Sequence, residues 1–146
     1  MKIVLQRVTS ASVRVDGESC GAIDTGYLLL FGAGHGDNEE HCRRLADKIL
    51  NLRIFSDENG KINLSLTDVG GSLLVVPQFT LYADCRKGNR PNFIQAAKPE
   101  EAEKLYEYFV DYCRSKGFRT ETGRFGADMK VEIHNDGPFT LVLEQE

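Results

Sequence analysis

Only two stretches of this sequence carry an apolar repeat that fits a helix. Between Asp37 and Leu50, Cys42, Leu45, Ala46, Ile49 and Leu50 fall at the i, i+3, i+4, i+7, i+8 spacing of one buried stripe. Asp37 or Asn38 can cap this helix, and Glu39 and Glu40 suit the positive end of its dipole. The second helix opens at Pro99, where proline is tolerated, and ends at Gly117. Its stripe is Ala102, Leu105, Tyr106, Phe109 and Cys113. Two helices cannot enclose the core of a 146-residue chain by themselves, so strands must supply the rest.

Strand signals fill the remainder. Lys2 to Thr9 is rich in Ile, Val and Leu, and Ala11 to Val15 alternates. Asp16-Gly17 is a hairpin turn, after which Ser19 to Ile23 returns. Tyr27 to Gly32 is nearly all apolar, as in a strand buried on both faces. Arg53-Ile54-Phe55 and Lys61 to Leu66 flank a turn tipped by Asn59-Gly60. Gly70-Gly71 precedes a strand over Ser72 to Leu81, and Tyr82 to Asn92 reads as a loop. Arg119 to Thr122, Met129 to His134 and Phe139 to Glu144 close the chain as further strands. No regular βαβ alternation is visible. The expected fold is a single mixed α and β domain over residues 1–146: layered β-sheets or a barrel-like strand core with two helices packed on one outer side.

Composition excludes several classes. With 41% hydrophobic and 27% charged residues the chain is ordinary folded material. No apolar run approaches the ~20 residues of a membrane span, and the N-terminal residues read as a strand rather than a secretory signal. Cys20, Cys42, Cys85 and Cys113 form no C-x-x-C pair and no zinc spacing, and read as free thiols in a reducing cytoplasm. A net charge of −4 rules out a general nucleic-acid coat. The local exception is Asp84 to Lys98, where Arg86, Lys87, Arg90 and Lys98 face the single acid Asp84.

The usual catalytic signatures are missing. Gly32-Ala33-Gly34-His35-Gly36-Asp37 sits between a strand and a helix but lacks the endings of a P-loop or dinucleotide fingerprint, so it reads as a flexible turn. His35, His41 and His134 lie at no metal-ligand spacing, and no Gly-x-Ser-x-Gly elbow is present. Two segments are odd enough to hold a site. In Val75-Val76-Pro77-Gln78-Phe79-Thr80-Leu81, proline belongs at an edge or bulge, and Gln78 and Thr80 share one face by period two. Asn135-Asp136-Gly137-Pro138-Phe139-Thr140 combines the commonest turn formers with an X-Pro bond open to the cis form.

Together these segments resemble the two signature motifs of the D-aminoacyl-tRNA deacylases. Supporting pieces run through essentially the whole chain: Gln6-Arg7-Val8 with Ala11-Ser12-Val13, Arg53-Ile54-Phe55 with Asn63-Leu64, Gly70-Gly71, Arg90-Pro91-x-Phe93, and Thr122-Gly123-Arg124-Phe125 before Ala127-Asp128-Met129. The resemblance implies a cytoplasmic, cofactor-free and metal-free hydrolase acting on the aminoacyl-adenosine end of tRNA. It further implies a homodimer with active sites at the subunit interface. Gln78, Phe79 and Thr80 are implied to be catalytic. Gly137 and Pro138, joined by a cis bond, are implied to reach into the other subunit's pocket and read chirality, helped by Arg7, Asn135 and Met129. Arg86, Lys87 and Arg90 are the implied tRNA contacts. The family's first motif usually starts with serine, where Pro77 stands here.

An aminoacyl ester is already activated, so orientation and charge stabilisation suffice without a strong nucleophile. Backbone N–H groups near Phe79 and Thr80 suit an oxyanion, with water attacking and the tRNA's 2′-hydroxyl assisting; Thr80 as nucleophile is the alternative. A rigid loop near Cα excludes an L side chain and lets a D side chain or glycine pass, which extends the substrates to glycine mischarged on the alanine tRNA. Two rivals remain: an editing deacylase for L-alanine on the wrong tRNA, and a non-catalytic nucleic-acid-binding module.

Overall fold

The computed structural model describes residues 1–146. Eight strands and two α-helices follow one another as β1 (Lys2–Val15), β2 (Glu18–Ile23), β3 (Gly26–Gly32), α1 (Glu39–Asn51), β4 (Arg53–Ser56), β5 (Ile62–Ser65), β6 (Ser72–Pro77), α2 (Pro99–Ser115), β7 (Thr120–Thr122) and β8 (Lys130–Glu144). A one-turn 3-10 helix over Phe79–Tyr82 follows β6. The main sheet runs β2-β1-β3-β6-β7, with β8 along the other edge of β1. β4 and β5 form a separate hairpin.

The two apolar segments expected before Asp16 are one 14-residue strand. Its first half pairs with β3 and its second half with β2, while β8 accompanies both. Ile3 and Leu5 face the core under the helices, yet Ala11 and Val13, at the same odd parity, face a second core. The cause is a bulge. Val8 pairs with Asn135 and Ser10 with His134, so Thr9 is an extra residue on β1. One inserted residue swaps every later side chain to the opposite face.

β3 and β6 are parallel, as are β6 and β7. α1 lies within the first crossover and α2 within the second, so two β-α-β units exist where no alternation was expected. The β4–β5 hairpin interrupts the first unit and the long 82–98 segment the second, which hides both in the sequence. Both helices contribute to one 23-residue core, against Ile3, Leu5, Tyr27, Leu29, Phe31, Leu73 and Val75. On the other face the sheet curls around Val8, Ala11, Val13, Ile23, Leu28, Leu74 and Val76. Its ends nearly meet: a Cβ on Gly21 of β2 would stand 2.6 Å from the Thr122 carbonyl of β7. The expected barrel-like strand core with helices on one outer side is therefore what forms.

The turns follow their local chemistry. Asp16 and Gly17 take φ of 51° and 81°, as a two-residue hairpin turn requires. Asn38 caps α1 by accepting from the His41 N–H at 3.0 Å. Asp37 does not cap the helix. It accepts from the Gly34 N–H at 2.6 Å, from His41 Nδ1 at 2.8 Å and from the Met1 ammonium at 2.8 Å. The turn that superficially resembled a phosphate loop is thus fastened around a carboxylate.

Candidate active site

The strand expected to continue to Leu81 ends at Pro77. β7 pairs with β6 only as far as Val75, so the missing proline N–H leaves no ladder bond unmade. The Gln78 N–H donates to the Phe31 carbonyl at 2.7 Å, and the chain then turns into the 3-10 helix. Gln78 and Thr80 therefore do not share a strand face. They meet around the turn, where Gln78 Nε2 donates to Thr80 Oγ1. Phe79 and Thr80 are the first two residues of this helix, so the helix supplies their N–H groups with no carbonyl. Both residues are exposed.

Gln78 and Phe79, but not the next residue, Thr80, line a chamber of about 640 Å³. Its floor and walls are Phe31 and Ala33 from the end of β3, Val76 and Pro77 from β6, Ala97 and Ala102 at the start of α2, and the 125–129 loop with Val131. Tyr106 of α2 ties the helix to the sheet by donating to the Val75 carbonyl at 2.6 Å. Met129 lines the chamber and also holds the loop: its sulfur accepts from the Arg124 N–H at 3.4 Å, and a Cβ on Gly123 would stand 2.6 Å from it. Phe79 and Phe93 meet edge to face at the chamber, with ring centroids 5.1 Å apart. Exposed Lys98 and Asp128 carry the charges around it.

The remaining expected residues lie elsewhere. The two strands expected over Met129–His134 and Phe139–Glu144 are one strand, β8, which carries a four-residue excursion. Gln6 pairs with Thr140 and Val8 with Asn135, so Asp136 to Phe139 stand opposite Arg7 alone. Arg7 Nε donates to the Asp136 carbonyl at 3.2 Å, and Nη1 donates to the Ile54 carbonyl at 2.5 Å. The guanidinium lies 4.8 Å from the centre of the Phe139 ring. Gly137 has φ of 129°, and a Cβ there would stand 3.0 Å from Arg7 Nη2. The Gly137-Pro138 bond is cis. Both residues are exposed, and neither Arg7, Asn135, Gly137 nor Pro138 lines the chamber of their own chain.

The basic loop is closed at its base by a bridge between Asp84 and Asn92. Arg86 grips Asp84 with two nitrogens, at 2.9 and 2.7 Å, and these bonds bring the carboxyl down to about 2. No ion pair engages Lys87 or Arg90. No group of three His, Cys, Asp or Glu is gathered as a metal site. No helix is long and apolar enough to cross a membrane.

Sequence reasoning did not find the alanines of the chamber, nor the part played by Phe93 and Phe125. Ala102 was legible only as part of the buried stripe of the second helix, Ala33, Ala96 and Ala97 sit in segments without periodicity, and the only signal at Phe93 and Phe125 was their place in the family's supporting motifs.

Residues 4–144 match the profile of the family described as D-Tyr-tRNA(Tyr) deacylase. A D-aminoacyl-tRNA deacylase of Halalkalibacterium halodurans is 58% identical over all of both chains. One from Thermosipho africanus is 54% identical, over all of this chain and 98% of its own. A solved structure described as a c-Myc DNA unwinding element binding protein is 44% identical with a TM-score of 0.93, covering 100% of this chain and 99% of that one. A probable eukaryotic D-amino acid tRNA deacylase, 20% identical, shares the fold at a TM-score of 0.81 over 97% of each chain. With its signature segments, its chamber and a match over nearly its whole length, this chain belongs to the D-Tyr-tRNA(Tyr) deacylase family of enzymes.

Proposed function

We propose that this enzyme hydrolyses the ester between a D-amino acid and the 3′ end of tRNA, acting as one cytoplasmic domain that works as a homodimer. The observation that carries the chemistry is the pair of N–H groups left without helical partners at Phe79, which lines the apolar chamber, and at the next residue, Thr80. Donors fixed in advance stabilise the oxyanion of an attacked ester without reorganising. Water attacks the carbonyl, the tRNA's terminal 2′-hydroxyl assists, and Gln78 orients Thr80 through their hydrogen bond. No base stands beside Thr80, so its hydroxyl is not the nucleophile in this reading.

The homodimer is supported by two features. The Gly137-Pro138 excursion is exposed and does not line its own chamber, which supports its serving another subunit's chamber. β8 is a 15-residue edge strand with Val142 66% exposed, a length of unpaired edge that proteins rarely leave open. In that arrangement the excursion blocks an L side chain at Cα, and a D side chain passes. Glycine has nothing to block, so glycine mischarged on the alanine tRNA is a substrate too. Asn135 and Arg7 act by holding the excursion, and Lys87, Arg90 and Arg86 meet the tRNA phosphates.

Deacylation of D-Tyr-tRNA and L-Tyr-tRNA, followed side by side at catalytic enzyme concentration, tests this. The expected result is rapid loss of the D ester with the L ester untouched. Rapid loss of L-Ala from a mismatched tRNA, with D-Tyr spared, would instead select the L-alanine editing activity. One relative's name speaks of DNA binding, which favours a binding module as the second reading. That reading requires no turnover by the wild type and nucleic-acid binding that survives Thr80→Ala and Gln78→Ala.

A further inference from the structure

The chamber and the basic loop are joined by a surface that runs outward from Phe93 of the chamber to Ile94, which neither the ester chemistry nor the chiral filter uses. Ile94 is 77% exposed, more than any other large hydrophobic residue in the chain. It follows Phe93, which is 36% exposed and touches the 55% exposed Phe79 at the chamber. The strip is held firmly in place. The His35 N–H donates to the Gln95 carbonyl at 3.2 Å, and His35 Nε2 donates to the Ile94 carbonyl at 2.7 Å. The Ala96 N–H donates to the Phe93 carbonyl and the Ala97 N–H to the Ala33 carbonyl, each at 3.0 Å. Immediately before Phe93, Asn92 pairs with Asp84 and closes the loop that carries Lys87 and Arg90.

A fixed apolar strip thus has the ester chamber at one end and unpaired cations at the other. An apolar protein partner would gain from Phe93 and Ile94 but nothing from the cations. A single nucleic-acid strand uses both, because its bases stack on apolar and aromatic side chains while its phosphates meet Lys and Arg. The strand that must pass this point is the one leading to the terminal adenosine.

We propose that Phe93 and Ile94 form a stacking shelf for the cytidines just before the terminal adenosine of tRNA, with Lys87 and Arg90 meeting their phosphates. The proposal rests on the deacylase reading of the chamber. It makes the enzyme a reader of the unpaired end of tRNA as well as of the amino acid.

Two synthetic esters test it: D-tyrosyl adenosine, and D-tyrosyl carried on the trinucleotide cytidine-cytidine-adenosine. Wild type should cleave the trinucleotide ester with about tenfold higher kcat/KM, the scale of one stacked base. Ile94→Glu should abolish most of that gain and leave the adenosine ester's rate unchanged. Ile94→Phe should keep or enlarge it. Because Ile94 is exposed, neither change threatens folding. Equal rates on both esters in the wild type, or an unaltered ratio in Ile94→Glu, would overturn the shelf while the deacylase function stands. A change of oligomeric state in Ile94→Glu on sedimentation would give the surface to a second copy of the chain and overturn it as well. Failure of the wild type to cleave either ester would remove the deacylase reading and the shelf with it.

Discussion

The side-chain amide of Asn135 donates to the carbonyl of Arg7 at 2.8 Å, and the same nitrogen donates to the carbonyl of Phe139 at 3.1 Å. These bonds span the base of the excursion, where the β1–β8 ladder is interrupted. Thr140 Oγ1 donates to Asn135 Oδ1 at 3.4 Å and accepts from Gln6 Nε2 at the same distance. Asn135 is therefore a positioning residue for Gly137 and Pro138, and its amide is occupied within its own chain.

Asn135→Asp keeps the shape but replaces the donor with a carboxylate facing two carbonyls. The expected cost is about 1–3 kcal/mol, a drop in Tm of roughly 3–10 °C for a chain of this size. Discrimination between D and L esters should fall more than kcat on the D ester. Thr140→Ser, which keeps the hydroxyl, should preserve discrimination better than Thr140→Val. Thermal melts and paired D and L assays measure both effects, and a variant unchanged in both would show that the clasp does not position the excursion.

Thr80→Ala leaves in place the backbone N–H groups proposed to hold the oxyanion. Its kcat should fall by less than about a hundredfold, a smaller loss than removal of a whole oxyanion donor can bring. Single-turnover deacylation of D-Tyr-tRNA reads this directly. Complete inactivity in a folded variant would make the Thr80 hydroxyl the nucleophile.

Three basic residues were expected to meet tRNA alike, but Arg86 is already bound to Asp84. Arg90→Ala and Lys87→Ala should each lower the salt dependence of tRNA binding by about one unit of slope, and Arg86→Ala by less. Asp84→Asn should release Arg86 and steepen the slope. Affinities measured across a salt series would expose any departure, such as equal losses at all three bases.

Asp37 couples stability to pH. Burial raises its pKa, but hydrogen bonds from the Met1 ammonium, the Gly34 N–H and His41 outweigh this, and the net shift is downward from 3.8. A group depressed on folding stabilises fully above its ordinary value and loses that contribution as the pH falls through the folded value. Asp37→Asn should therefore be less stable than wild type at pH 7, with the gap narrowing below about pH 4. Urea unfolding at pH 7 and pH 3 checks this; a gap that stays constant would remove Asp37 from the pH response.

The four cysteines span the range of burial, with Cys20 between the extremes. Desolvation pushes Cys42 and Cys113 up to about 12, and both are fully buried, whereas Cys85 is exposed. Iodoacetamide should label Cys85 first and leave Cys42 and Cys113 unmodified in the native protein. D-ester hydrolysis should persist in the labelled enzyme and in chelator, and its loss would reopen a thiol or metal mechanism.

What was legible in the sequence was whatever is fixed locally. Both helices, the Asp16-Gly17 turn and the buried Gly26–Gly32 strand follow from spacing and turn chemistry. The Thr9 bulge was not legible, because only pairing with β8 defines it. The same holds for the unity of β8 and for the end of β6 at Pro77. The site divides likewise: Gln78, Thr80, Gly137 and Pro138 stood out through unusual residues, while Ala33, Ala97 and Ala102 are conspicuous only once β3 and α2 converge.

Lys2 pairs with Glu144 and Arg14 with Lys130, so the first strand of the chain is completed by the last. On the ribosome, β1 can find β2 and β3 early but waits with one edge bare until β8 has been translated. The Asp136–Phe139 excursion can settle against Arg7 only at that moment. Synthesis that stops short of β8 leaves a chain with the segments of both helices and without the Asp136–Phe139 excursion. The earliest strand of the chain is thus tied to a segment made more than a hundred residues later, the one that carries the Asp136–Phe139 excursion.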